Sequence, residues 1–218
     1  MNAMTQDGAA KGKQLAIRLI VGALVGLAVS AALLGLAGST LLDAMGPSRV
    51  VLAAVGAIYA LMAALVGFGL AAPRAGAQLL NVGDADELRE ERAGMLLSVA
   101  TMGAIGLVLL LLALAAGPGF AGPVPAGVAM GALVLVVVGG VVASWTWRDR
   151  YDELNRQLGL EGCAWAFGLG WVLLTLWAAA DFLGFGARLT PIDVVSTLAA
   201  MMLAGSFVAI GRRGMMTR

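Results

Sequence analysis

Histidine is absent from the 218-residue chain, and lysine and cysteine nearly so. Without histidine there is no Ser-His-Asp triad, no H-E-x-x-H zinc site and no histidine-ligated haem, which removes histidine-based membrane redox enzymes from consideration. The two lysines, Lys11 and Lys13, precede the first hydrophobic run, so no lysine lies in a bilayer to hold retinal as a Schiff base. A single cysteine, Cys163, makes neither an internal disulfide nor a cysteine cluster, and reads as a small hydrophobe at a helix start. Charge is scarce as well: 12% of residues are charged and 61% hydrophobic, and the mean hydropathy is +0.93. That leaves too little polar surface to clothe a water-soluble globule and indicates a membrane protein. Alternating ten-residue strands with aromatic girdles are missing too, which argues against an outer-membrane barrel.

What the sequence does contain is six apolar runs, approximately Leu15 to Ala37, Val50 to Ala72, Met95 to Ala116, Gly127 to Trp147, Cys163 to Gly184 and Ile192 to Ile210. Each approaches or exceeds the roughly 20 residues that a helix needs to cross a bilayer. The expected fold is therefore all-α, a single polytopic membrane domain built as a bundle of six transmembrane helices. The first run has basic residues ahead of it, as a secretory signal does. It is too long for one, however, and Leu36-Ala37-Gly38-Ser39 is a poor cleavage site, so it is expected to stay in the protein.

Positive charge orients the set. With the N-terminus cytoplasmic, that side holds Lys11, Lys13, Arg18, Arg74, Arg89, Arg92, Arg148, Arg150, Arg156, Arg212, Arg213 and Arg218, and the other side only Arg49 and Arg188. Both termini are predicted to be cytoplasmic. Arginine outnumbers lysine and Ala, Gly, Val and Leu dominate, a bias typical of GC-rich bacterial coding, so a bacterial inner membrane is the expected location. Trp145, Trp147 and Trp165 fall where a cytoplasmic interfacial belt belongs, whereas Trp171 and Trp177 lie deeper and read as packing and lipid contacts.

Glycine, at 31 residues, is about twice its usual frequency. Gly22, Gly26 and Ser30 repeat every four residues in the first span, and Gly127 with Gly131 and Gly139 with Ala143 do so in the fourth. Such small-xxx-small patterns let helix backbones approach closely, within the chain or between copies of it, so a homo-oligomer is one expectation.

The third and fourth spans are joined by Gly117 to Pro125, an uncharged stretch of helix breakers that predicts a tight external hairpin. On the cytoplasmic side both helices are expected to outrun the membrane, over approximately residues 84–94 and 148–158. Asp84 and Glu87 read as an N-cap and its capping-box partner, and the fourth helix continues past Trp147 until Gly159 stops it. Trp147, Tyr151, Leu154 and Leu158 make an apolar stripe on that extension. Asp86-Glu87-Leu88 and Asp152-Glu153-Leu154 fall at the same height below the membrane, and the repeated triplet also admits an internal duplication. The resulting two-helix stalk offers Asp86, Glu87, Glu90, Glu91, Tyr151, Asp152, Glu153 and Leu154 as a docking surface for a protein partner.

Transport and intramembrane catalysis need ionisable groups near the midplane, and the spans offer almost none. Asp43, Arg49, Asp181, Arg188 and Asp193 map to the outer ends or outer loops. Thr190-Pro191-Ile192-Asp193 reads as an N-cap, a proline at the first helical position and an acidic first turn. Asp181, about one turn inside the fifth span, is the residue for a transport alternative, or else the partner of Arg188. Of the neutral polar groups Ser30, Tyr59, Ser98, Thr101, Ser144, Thr146, Thr175, Ser196, Thr197 and Ser206, most are expected to return a hydroxyl to a backbone carbonyl of the same helix. No phosphate-binding glycine loop, paired catalytic carboxylates or metal-ligand spacing is present. The sequence therefore predicts no catalytic, cofactor or metal site and no direct nucleic-acid binding. It supports a non-catalytic protein that contacts the bilayer and a cytoplasmic or membrane partner. The alternative is a small permease or channel for an uncharged or weakly polar solute.

Overall fold

A computed structural model of the chain describes residue 35 and residues 39–72, 92–146, 153–186 and 188–213. The described residues form α1 (Ser39–Met45), α2 (Pro47–Ala71), α3 (Arg92–Ala113), α4 (Ala126–Thr146), α5 (Glu153–Phe182) and α6 (Pro191–Arg212), with no strand among them. All but α1 are long and apolar enough to cross a membrane. Helix is what an apolar run must form there, because hydrocarbon offers no partner for backbone N–H and C=O groups. The chain is an all-α polytopic membrane protein. The first expected span lies outside the described residues apart from Gly35, which is helical.

Glycine and proline set the boundaries. Gly46, in the left-handed region at φ 74°, separates α1 from α2, and Pro47 occupies the first turn of α2, where its missing N–H is harmless. Pro125 precedes α4. Between α3 and α4 the predicted hairpin is present: Gly117 and Phe120 exchange backbone hydrogen bonds of 3.0 Å each, and Ala116 N–H donates to Val124 O at 2.8 Å. Gly119 takes φ 77° at its tip.

The helices alternate in direction, so their ends fall at two levels. One is the hairpin end, with Arg49, Gly119 and Asp193. The other is the arginine-rich end, with Arg92, Thr146, Arg156 and Arg213. Packing is most extensive between α2 and α3 and between α5 and α6; α2 and α6 join the two pairs, and α4 attaches to α3. In lipid, apolar side chains gain little by leaving the surroundings, so close backbone approach and directional bonds decide which faces meet. On α2 and α3 the approach is at Gly56 and Gly106: a Cβ on Gly106 would stand 2.8 Å from Ala60 N and 2.9 Å from Gly56 O. On α5 and α6 it is at Gly162, Ala166 and Gly205, where a Cβ on Gly205 would collide with Gly162 O and lie 2.7 Å from Ala166 N. Gly127 and Gly131, by contrast, have nothing within 4 Å of where a Cβ would be. Among the described residues they make no helix contact, whereas Ala129, between them and on another face of α4, is buried. Gly22, Gly26 and Ser30 lie outside the described residues.

The buried core lies toward the hairpin end, where Met45, Leu52, Val55, Tyr59, Leu109, Ala113 and Phe120 cluster and α6 contributes Ile192, Val195, Ala199 and Leu203. Tyr59 links α2 to α6 by donating its hydroxyl to Ala199 O at 3.0 Å.

The expected extension of the fourth helix needs correction. Residues 153–158 belong to the helix of the fifth span, which runs unbroken from Glu153 to Phe182. Gly159 does not stop it. A glycine within a helix costs about 1 kcal/mol relative to alanine but does not break the hydrogen-bond ladder. A stop would use the left-handed region, which Gly46, Gly119 and Gly184 adopt and Gly159 does not. The stretch 84–91 and residues 147–152 are outside the described set.

Candidate functional site at the arginine-rich end of α5 and α6

With 30 residues, α5 is about 45 Å long. Its apolar part, Gly162 to Phe182, spans about 32 Å, close to the roughly 30 Å of a hydrocarbon core. The turns from Glu153 to Glu161 therefore project about 13 Å beyond it. Glu153, Gln157, Glu161 and Trp165 follow one another at four-residue spacing and so lie along one ridge of the helix. Gln157 Nε2 donates to Glu153 Oε1 at 3.0 Å, and Arg156 stands 3.8 Å from the Glu153 carboxylate.

The C-terminus of α6 arrives on this ridge. Arg213 Nε donates to Glu161 Oε2 at 3.1 Å, and its terminal nitrogens lie 3.4 and 3.5 Å from Gln157 Oε1. Arg212 Nε is 3.6 Å from Glu161 Oε1, and its guanidinium lies over the Trp165 ring at 5.3 Å. Arginine at a helix C-terminus also opposes the partial negative charge of the exposed carbonyls. These contacts are partly solvated, and such pairs are worth about 0–1 kcal/mol each, so the cluster orients side chains more than it stabilises the fold. The sequence reading passed over Glu161 and this pairing. The signals were there: a four-residue spacing that ends on tryptophan, and two arginines closing the antiparallel neighbour.

Of the predicted docking residues, Glu153 and Leu154 are exposed in the first turn of α5; Leu158, from the predicted apolar stripe, is half-buried one turn on. Asp86, Glu87, Glu90, Glu91, Tyr151 and Asp152 lie outside the described residues. Asp181 at the opposite end closes the turn after α5: its Oδ2 accepts the Leu189 N–H at 2.9 Å and its backbone carbonyl accepts Gly184 N–H at 3.0 Å. No Asp181–Arg188 ion pair forms among the described residues. Asp193, buried, accepts the Thr190 N–H at 2.9 Å and the Thr190 hydroxyl at 2.7 Å. The Thr-Pro-Ile-Asp pattern thus caps α6 as its spacing predicts. Ser98, Thr146, Ser196 and Ser206 return their hydroxyls to carbonyls three or four residues earlier.

An open groove of about 550 Å³ runs between α3 and α4, lined by Ile105, Val137, Val141 and Trp145 among others, with Ser144 its one polar side chain and no charged one. Comparison with known protein families, with curated proteins and with solved structures finds no match for this chain.

Proposed function

We propose that the protein is a non-catalytic component of a bacterial inner membrane, with both termini in the cytoplasm, that anchors, assembles with or regulates a protein partner through its cytoplasmic juxtamembrane helices. The projection of α5 beyond the hydrocarbon core carries this reading: a helix that needed only to cross has no use for the polar turns from Glu153 to Glu161. Leu154 stands 45% exposed on that projection, an apolar contact point with Glu153 and Arg156 beside it. The acidic residues Asp86, Glu87, Glu90 and Glu91, with Tyr151 and Asp152, extend the proposed surface along the chain. The small-residue face of α4 at Gly127 and Gly131, which meets nothing among the described residues, suits a second copy. Nucleic acid has no place in this scheme.

The permease alternative would need Asp181 free to meet a solute, whereas its carboxylate already accepts the Leu189 N–H. The groove between α3 and α4 offers one hydroxyl and otherwise apolar walls.

A photo-crosslinking residue at Leu154 tests the docking surface in living cells. One discrete protein adduct is expected, and it is lost when Glu153 is changed to lysine or when Asp86, Glu90 and Glu91 are reversed to lysine. Adducts with lipid alone, or a protein adduct indifferent to both changes, would remove the proposal.

A further inference from the structure

At the arginine-rich end two guanidinium groups share one carboxylate. Glu161 offers Oε1 to Arg212 and Oε2 to Arg213, each through the Nε edge, which leaves one positive charge in surplus. Glu153 and Arg156, one to two turns away, pair with each other and do not change that balance. The surplus is presented mainly by Arg212, whose side chain is 62% exposed against 29% for Arg213. Its Nε faces Glu161 and its guanidinium carbon lies over the Trp165 ring; among the described residues its two terminal nitrogens meet no acceptor. A guanidinium whose two terminal nitrogens are open matches a phosphate, which accepts two parallel N–H bonds.

Depth identifies the source of that phosphate. Arg212 ends the membrane-crossing α6, and Trp165 lies where the apolar part of α5 begins, so both are in the headgroup layer. From Trp165 toward the midplane, Leu169, Val172 and Leu176 follow at spacings of four, three and four, exposed by 38%, 49% and 65%. An apolar stripe leading down from a cationic fork fits a phosphate that carries acyl chains. Net positive charge favours a lipid with net negative charge over a zwitterionic one, by about 1 kcal/mol per arginine near the surface.

We infer that Arg212, Arg213 and Trp165 form a binding site for the headgroup of an anionic phospholipid, whose chains lie along Leu169, Val172 and Leu176. This site is independent of the docking surface around Leu154 and stands or falls separately.

The full-length protein, purified in a mild detergent, is titrated with phosphatidylglycerol or with phosphatidylcholine, and bound lipid is counted by native mass spectrometry. Inorganic phosphate serves as the headgroup-only arm. Retention of phosphatidylglycerol is expected to exceed that of phosphatidylcholine several-fold, with no occupancy by phosphate alone. Arg212→Gln removes an exposed group and is expected to leave the fold intact while lowering the preference about five-fold. Arg213→Gln in addition abolishes it, Glu161→Gln raises it by adding net charge, and Arg156→Gln leaves it unchanged. Equal retention of the two lipids overturns the site. So does a preference that survives Arg212→Gln, or one that falls in Glu161→Gln while helicity and monodispersity are retained; binding of phosphate alone at the same arginines would make it a free-anion site instead.

Discussion

Arg49 is a charged residue at the end of a span whose work is structural. Its NH1 donates to Ala113 O at 3.1 Å and Ala115 O at 2.7 Å, carbonyls that the end of α3 leaves without helical partners, and its guanidinium lies 4.8 Å from the centre of the Phe120 ring. Gly117 makes room, because a Cβ there would stand 2.9 Å from the Arg49 side chain. One side chain thus caps α3 and ties the α3–α4 hairpin to α2. Hydrogen bonds from a charged donor contribute about 1.5–3 kcal/mol, more than a neutral bond and more than a solvated ion pair. Arg49→Gln is therefore expected to destabilise the protein by about 2 kcal/mol. Arg49→Lys should recover part of the loss, since it keeps the charge without the planar fork. Thermal unfolding in detergent measures both; an Arg49→Gln variant as stable as the parent would show that the carbonyls are satisfied by water.

At the scale of the element, the spans were legible and the contacts between them were not. Five of the six apolar runs reappear as helices, with their ends shifted by up to a few residues except at the start of α5, where the helix begins ten residues earlier than hydropathy alone places it. Hydropathy finds spans because hydrocarbon leaves the backbone no other choice. It does not find helix contacts, because a chain with 31 glycines repeats the small-residue spacing on many faces. Gly127 and Gly131 and the triplet Gly162, Ala166 and Gly170 look alike in sequence, yet among the described residues only the second group meets a neighbour. The same ambiguity made Gly159 resemble a stop, with the polar stretch Asp152 to Gln157 before it and the apolar run from Gly162 soon after it. Two substitutions separate these roles. Gly205→Ala forces α5 and α6 apart and is expected to cost about 1–3 kcal/mol, as overpacked interiors do. Gly159→Ala meets open space and should be neutral or stabilising by up to about 1 kcal/mol. Unfolding temperatures that rank the two in the opposite order would contradict both the α5–α6 crossing and the continuity of α5.

At the scale of the molecule, the contacts among the described spans run in the order α4, α3, α2, α6, α5, so α4 and α5, consecutive in sequence, stand at opposite ends of that series. Helices pack about 9 Å apart, which would set the ends of a straight row about 36 Å from each other. The seven peptide steps from Thr146 to Glu153 reach at most about 25 Å. The row must therefore bend, bringing α4 and α5 closer at the arginine-rich end. The orientation that follows is open to a direct check. In a Cys163→Ser background, cysteine at Gly119 should react with a membrane-impermeant reagent in intact spheroplasts, and cysteine at Gln157 only after permeabilisation. Arg49 is fastened to carbonyls at the hairpin end, whereas Arg156, Arg212 and Arg213 lie in or near the surface layer at the other, and positive charge retained at one end of the spans is what holds that end on the cytoplasmic side. Labelling at Gln157 in intact spheroplasts would invert the protein and move the proposed docking surface and lipid site to the outer face, where no cytoplasmic partner reaches.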